Sequence, residues 1–184
     1  MGVYLESWEP YLEARKPNGP AGKLATFYAR YRFACNFESI MVSGMNSKTL
    51  AIYGLITKIA FAYSSLEHLE NSIGVQGKPG IYATDIARKI RVVMPKGVAQ
   101  VKERMPLAAG LESRLNDFFI DSSNSDVRPV IEQFRHSLFH GKFTPTGWGL
   151  KGVNKDLELF QSLAQVTLRQ ADQTFTKWVK SQQF

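Results

Sequence analysis

The chemically informative residues lie between Asp126 and Gly141, in the run Asp126-Val127-Arg128-Pro129-Val130-Ile131-Glu132-Gln133-Phe134-Arg135-His136-Ser137-Leu138-Phe139-His140-Gly141. Two of the chain's three histidines fall here, with arginines, a carboxylate and aromatic rings around them. Imidazole changes charge near neutral pH, and guanidinium is a permanent cation with a planar fork of donors. His136 and His140 also stand four apart, a spacing that can present two nitrogens to a zinc ion. The glutamate that follows the first histidine in zinc proteases is missing, because Ser137 takes its place. A third ligand would have to be His68, Cys35 or a distant carboxylate, and no metal site is expected.

These residues need a helix to position them. Val127, Val130, Ile131, Phe134 and Leu138 recur on one helical stripe, and Pro129 is tolerated in the first turn. At about 100° per residue, Glu132, His136, Phe139 and His140 fall on the opposite side, with Arg135 at its flank. A solvated face would not ordinarily carry Phe139, so this side is expected to meet a neighbouring helix or another subunit. Gly141 closes the helix.

The rest of the chain also reads as helices between Gly, Pro and Asn breakers. Helices are expected over about 8–16, 23–42, 47–73, 81–94, 98–105, 111–119, 127–140 and 156–181. The clearest carries Ile52, Leu55, Ile56, Ile59, Tyr63, Leu66, Leu69 and Ile73 at offsets of three and four, with Asn46 or Ser47 as cap and Gly74 as stop. Leu24, Phe27, Tyr28, Tyr31, Ala34, Ile40 and Met41 are core candidates of the helix before it. No strand alternation is sustained. The fold class is all-α, as a single helical domain over residues 1–184.

Arg135, four intervening residues, His140 and then Gly141, at the end of a helix in an all-α chain, resemble the signature of the HEPN superfamily. The spelling Arg135-His136-Ser137-Leu138-Phe139-His140-Gly141 is similar to that family's Arg-Asn-x-x-x-His-Gly form. Ser64-Ser65-Leu66-Glu67 sits in a long helix similar to another core helix of such domains. The resemblance covers about residues 23–182 and implies a HEPN-type helical bundle with additional helices. It further implies a metal-independent endoribonuclease acting at a dimer interface, with no cofactor. His140 would take the proton from a ribose 2′-hydroxyl, and Arg135 would hold the scissile phosphate. His136 and Glu132 would support them.

On a straight helix those two side chains diverge by about 140°, so either the helix end distorts or two subunits combine. His136 stands where Asn or Asp is commoner in the family. Lys142 occupies the place where one subclass carries a tyrosine modified by a partner nucleotidyltransferase, so that switch is not expected. The implied partners are RNA, a second copy, and an antitoxin or regulatory protein, as in a toxin–antitoxin pair. Because many members lack activity, the alternative is a non-catalytic module that binds RNA or a protein. A helical interaction domain with an accidental motif is a third reading.

The 184 residues carry 23 Lys and Arg against 16 Asp and Glu, a net charge of +7. With 44% hydrophobic residues, the chain can build a core and is not disordered throughout. Residues 75–104 hold seven cations against two carboxylates, so five of the seven surplus charges lie there. Arg88, Lys89 and Arg91 in that stretch, with Lys142 beyond the motif, are candidate RNA contacts, and Tyr82 is a candidate for stacking on a base. Cys35 is the single cysteine, expected as a small buried hydrophobe, and excludes an internal disulfide. No signal peptide or uncharged membrane-length run is evident, and the cytoplasm is the expected location.

Overall fold

The computed structural model describes residues 24–103, 107–145, 149–150, 152 and 154–181. Among them are seven helices and no strands: α1 (Ala25–Asn36), α2 (Ser47–Ser72), α3 (Thr84–Val93), α4 (Gly97–Lys102), α5 (Glu112–Ile120), α6 (Arg128–Phe139) and α7 (Asn154–Ser181). The chain is all-α. The helix expected over about residues 8–16 lies outside the described residues.

α2 is the axis of the core, packed by α1, α6 and α7. Asn46 caps it by accepting a hydrogen bond from the Lys48 N–H at 2.8 Å. Ile52, Ile56, Ile59, Tyr63, Leu66 and Leu69 are buried, as their spacing predicts. So are Ala60, Ala62, Ser64 and Ser65, because α2 is enclosed on more than one side. By length and composition α2 would also suit a membrane span, but over half of its most apolar stretch is buried against these neighbours.

α1 stops earlier than its sequence suggests. Phe37 turns to an extended conformation, and the chain crosses over α2 at Gly54. A Cβ on Gly54 would lie 3.8 Å from the Phe37 ring and 3.9 Å from the Ile40 nitrogen. The bare glycine thus gives the crossing segment its place, and Lys58 Nζ donates to the Phe37 carbonyl at 3.2 Å. Met41, expected in the core, is 92% exposed as a result, and Ile40 is only partly buried. Cys35 is half-buried, and burial pushes its thiol pKa up.

α3, α4 and α5 form an excursion between α2 and α6. Its ends meet where Tyr82 pairs with Asp126 in an isolated antiparallel bridge. Ala83 N–H donates to Ser125 O, and Val127 N–H to Ile81 O, both at 2.9 Å. Ile81 itself is buried in the core. The excursion therefore leaves and rejoins the bundle at one point, at the head of the helix bearing the motif.

Candidate functional site

α6 is fixed by more than its apolar stripe. Val127, Val130, Ile131 and Phe134 are buried, and so are Arg128, Gln133 and Ser137. At its start, one Asp126 carboxylate oxygen accepts from the N–H groups of Ile81 (2.8 Å) and Arg128 (3.0 Å). The fully buried Arg128 guanidinium makes a two-pronged pair with Glu70 of α2 and lies over the Tyr63 ring, 5.5 Å from its centre. Gln133 accepts from the Ala108 N–H at 3.2 Å and donates to Ser137 Oγ at 3.2 Å, tying down the segment before α5. α6 is thereby locked to α2 and to the end of the excursion.

One turn further along, α6 presents Glu132. Its carboxylate accepts from the Tyr63 hydroxyl and from Arg114 of α5, with Lys78 Nζ at 3.5 Å. Lys78 also pairs with Glu67 at 3.1 Å, and the other Glu67 oxygen lies 3.1 Å from Arg135 Nη2. Burial first, and then the Glu132 charge, hold the Tyr63 pKa far above that of a free phenol, so its hydroxyl stays a donor. The Arg135 guanidinium carbon sits 6.0 Å from the centre of the Tyr63 ring and 5.8 Å from that of Phe139. Its Nε is buried without a hydrogen-bond partner.

Together Glu67, Lys78, Arg114, Glu132, Arg135 and His136 line an open cleft of about 240 Å³, closed on one side by residues 108–111. Three basic side chains face two carboxylates there, and Glu132 is the more enclosed of the two acids.

The C-terminal end of α6 carries the imidazoles. The His136 and His140 rings are 4.3 Å apart between centres. Burial, followed by the His140, Lys142 and Arg135 charges, lowers the His136 pKa, favouring its neutral form. His140 is the last residue before the turn. Gly141, with φ +64°, lets its own N–H reach Leu138 O at 3.0 Å and the Lys142 N–H reach Ser137 O at 2.9 Å. Phe139 is 54% exposed; its ring meets that of Phe61 edge to face and lies beside the Arg135 guanidinium.

The sequence-predicted residues thus divide. Arg135, His136 and Glu132 share the cleft, whereas His140 lies outside its lining with its ring tilted by 47° against that of His136. Lys142 is exposed past the turn. On α3, Arg88 is exposed and 3.7 Å from Asp85, and Lys89 is exposed. Arg91 points inward and donates to the carbonyls of Phe118, Asp121, Ser122 and Asn124, clamping the loop after α5. Among the described residues of the basic stretch, Lys78 is the one that enters the cleft.

No protein-family model, curated protein or solved structure matches this chain. Among the described residues, no three of His, Cys, Asp and Glu cluster as metal ligands.

Sequence reasoning missed Tyr63, Glu67, Lys78 and Arg114 as members of this site. A signal for two of them existed: Tyr63, Glu67 and Glu70 recur at i, i+4 and i+7 on a helix that is otherwise mostly apolar.

Proposed function

We propose that this chain is a HEPN-type endoribonuclease that acts without a metal, with its site completed by a second copy. The observation that carries the reading is the disposition of Arg135 and His140. Arg135 opens into a cleft, His140 stands outside that cleft on the same helix end, and exposed Phe139 lies between them in sequence. A symmetric contact between two such helix ends would bring the His140 of one copy toward the Arg135 of the other and cover Phe139.

In this chemistry a neutral imidazole at His140 accepts the proton of a ribose 2′-hydroxyl. The freed oxygen attacks the adjacent phosphorus, the bond to the 5′-oxygen breaks, that oxygen leaves as a hydroxyl by taking a proton from water, and a 2′,3′-cyclic phosphate forms. Arg135, whose side chain is 34% exposed, binds the phosphate oxygens through the end of its guanidinium as their charge grows. Lys78 and Arg114 add positive potential, and Glu132 holds both cations in place.

A second reading keeps the chemistry and changes the base. His136 lines the cleft beside Arg135 and is biased to its neutral form. Incubating the purified protein with RNA and a chelator tests both. The proposal requires cleavage that Arg135→Ala and His140→Ala each abolish; loss with His136→Ala and retention with His140→Ala assigns the base to His136. Cleavage unchanged by all three overturns the site. Salt-sensitive binding without cleavage makes the chain a binding module. A regulatory protein partner and a cytoplasmic setting belong to the same proposal.

A further inference from the structure

The opposite end of α6 carries a second feature that the proposed chemistry does not use. Tyr82 is 73% exposed, yet backbone hydrogen bonds from Ala83 N–H to Ser125 O and from Val127 N–H to Ile81 O tie the chain down on both sides of it. It pairs with Asp126, and its neighbour Ile81 is buried. The ring lies over the bare backbone of Gly80, where an added Cβ would come within 2.6 Å of the ring. A large aromatic is thereby presented to solvent from a backbone anchored at the head of α6.

Tyr82 borders an open cleft of about 390 Å³ between the start of α3 and α7, into which Lys89, Arg169 and Gln165 also project. Neither Lys89 nor Arg169 has an ion-pair or hydrogen-bond partner among the described residues, and the cleft's carboxylate, Asp85, lies 3.7 Å from Arg88. An exposed ring beside two unpaired cations matches the demands of one nucleotide: a flat base to stack and a phosphate to neutralise.

We propose that Tyr82, Lys89 and Arg169 form a docking subsite for single-stranded RNA, with a base stacked on Tyr82 and its phosphate held by the two cations. The inference rests on the ribonuclease reading for its ligand class, and binding here is separable from cleavage. Tyr82 is pinned to Asp126, while His140 is at the other end of α6, about 20 Å away along the helix axis. The Lys78–Tyr82 segment connects the two places, since Lys78 enters the Arg135 cleft and Tyr82 reaches the head of α6. A strand of about six stacked nucleotides covers that length.

The test uses the full chain and a fluorescent all-2′-deoxy thymidine decamer, which can bind but cannot be cleaved through a 2′-hydroxyl. Tyr82→Ala is expected to weaken binding about tenfold or more, while Tyr82→Phe stays close to the parent. Gly80→Ala, which displaces the ring without removing it, is expected to weaken binding as well. The double variant Lys89→Ala with Arg169→Ala should lower the salt dependence of log affinity by about 1.4. Thermal melting confirms that each variant is folded. A parent that does not bind the decamer, or a Tyr82→Ala protein that binds it as the parent does, overturns the subsite. Cleavage of a dinucleotide, too short to reach Tyr82 from His140, reads the chemistry separately. Tyr82-dependent binding without any cleavage would sink the ribonuclease reading and leave this subsite standing.

Discussion

Replacing Arg128 by alanine tests what holds the motif helix in place. The Arg128 side chain is wholly buried and its partner Glu70 is 4% exposed, joined by two hydrogen bonds, one of 3.0 Å. Removing the guanidinium leaves the Glu70 carboxylate without a counter-charge in the interior and strips the face of Tyr63. Breaking such a buried pair costs about 3–5 kcal/mol. For a chain of this length, each kcal/mol lowers the melting temperature by about 2–4 °C, so a fall of about 6–20 °C is expected. Urea unfolding and calorimetry at pH 7 would measure it. The paired substitution Arg128→Met with Glu70→Leu removes both charges and should recover most of the loss. A single-variant loss below about 1 kcal/mol, or a double variant no more stable than Arg128→Ala, would refute the buried-charge argument.

Three further expectations concern the cleft and its surroundings. Glu67→Gln removes the carboxylate facing Arg135, so the protein should bind the deoxy decamer several-fold more tightly; weaker binding would show that Glu67 positions Arg135 instead. The lowered His136 pKa means that the unfolded chain takes up a proton before the folded one does. Stability should therefore be lost as pH falls below about 6.5, and His136→Asn should flatten that part of a melting-temperature profile; an unchanged slope would rule out His136 as its source. Arg91→Lys cannot reproduce the planar fork that gathers four carbonyls, so residues 118–124 should become more open to proteolysis, and equal cleavage rates would contradict the clamp.

Much of the bundle was legible because periodicity reports burial directly. The stripes of α2 and α6, the Asn46 cap and the Gly141 stop follow from local residue types, and each is present. The end of α1 was not legible. The helical pattern runs on through Ile40 and Met41, and the crossing at Gly54 depends on a residue in the next helix. The Tyr82–Asp126 bridge is similarly hidden, since it joins positions far apart in the chain.

The site divides in the same way. Arg135, His136 and Glu132 could be read together because they share one helix and lie off its apolar stripe. Glu67, Lys78 and Arg114 come from α2, the following loop and α5, so only folding reveals that they meet. The expected basic surface was also redistributed. Lys78 joins the Arg135 cleft, Lys89 faces α7, and Arg91 is turned onto the chain's own carbonyls.

The most direct test of a site shared between two copies mixes Arg135→Ala and His140→Ala proteins under conditions that let subunits exchange, then follows RNA cleavage in the presence of chelator. A composite site predicts that each variant alone is inactive and that the mixture regains activity, because a mixed dimer holds one site with both Arg135 and His140 intact. A mixture as inactive as its components would contradict the shared site, and a variant that cleaves as the parent does would remove its residue from the chemistry.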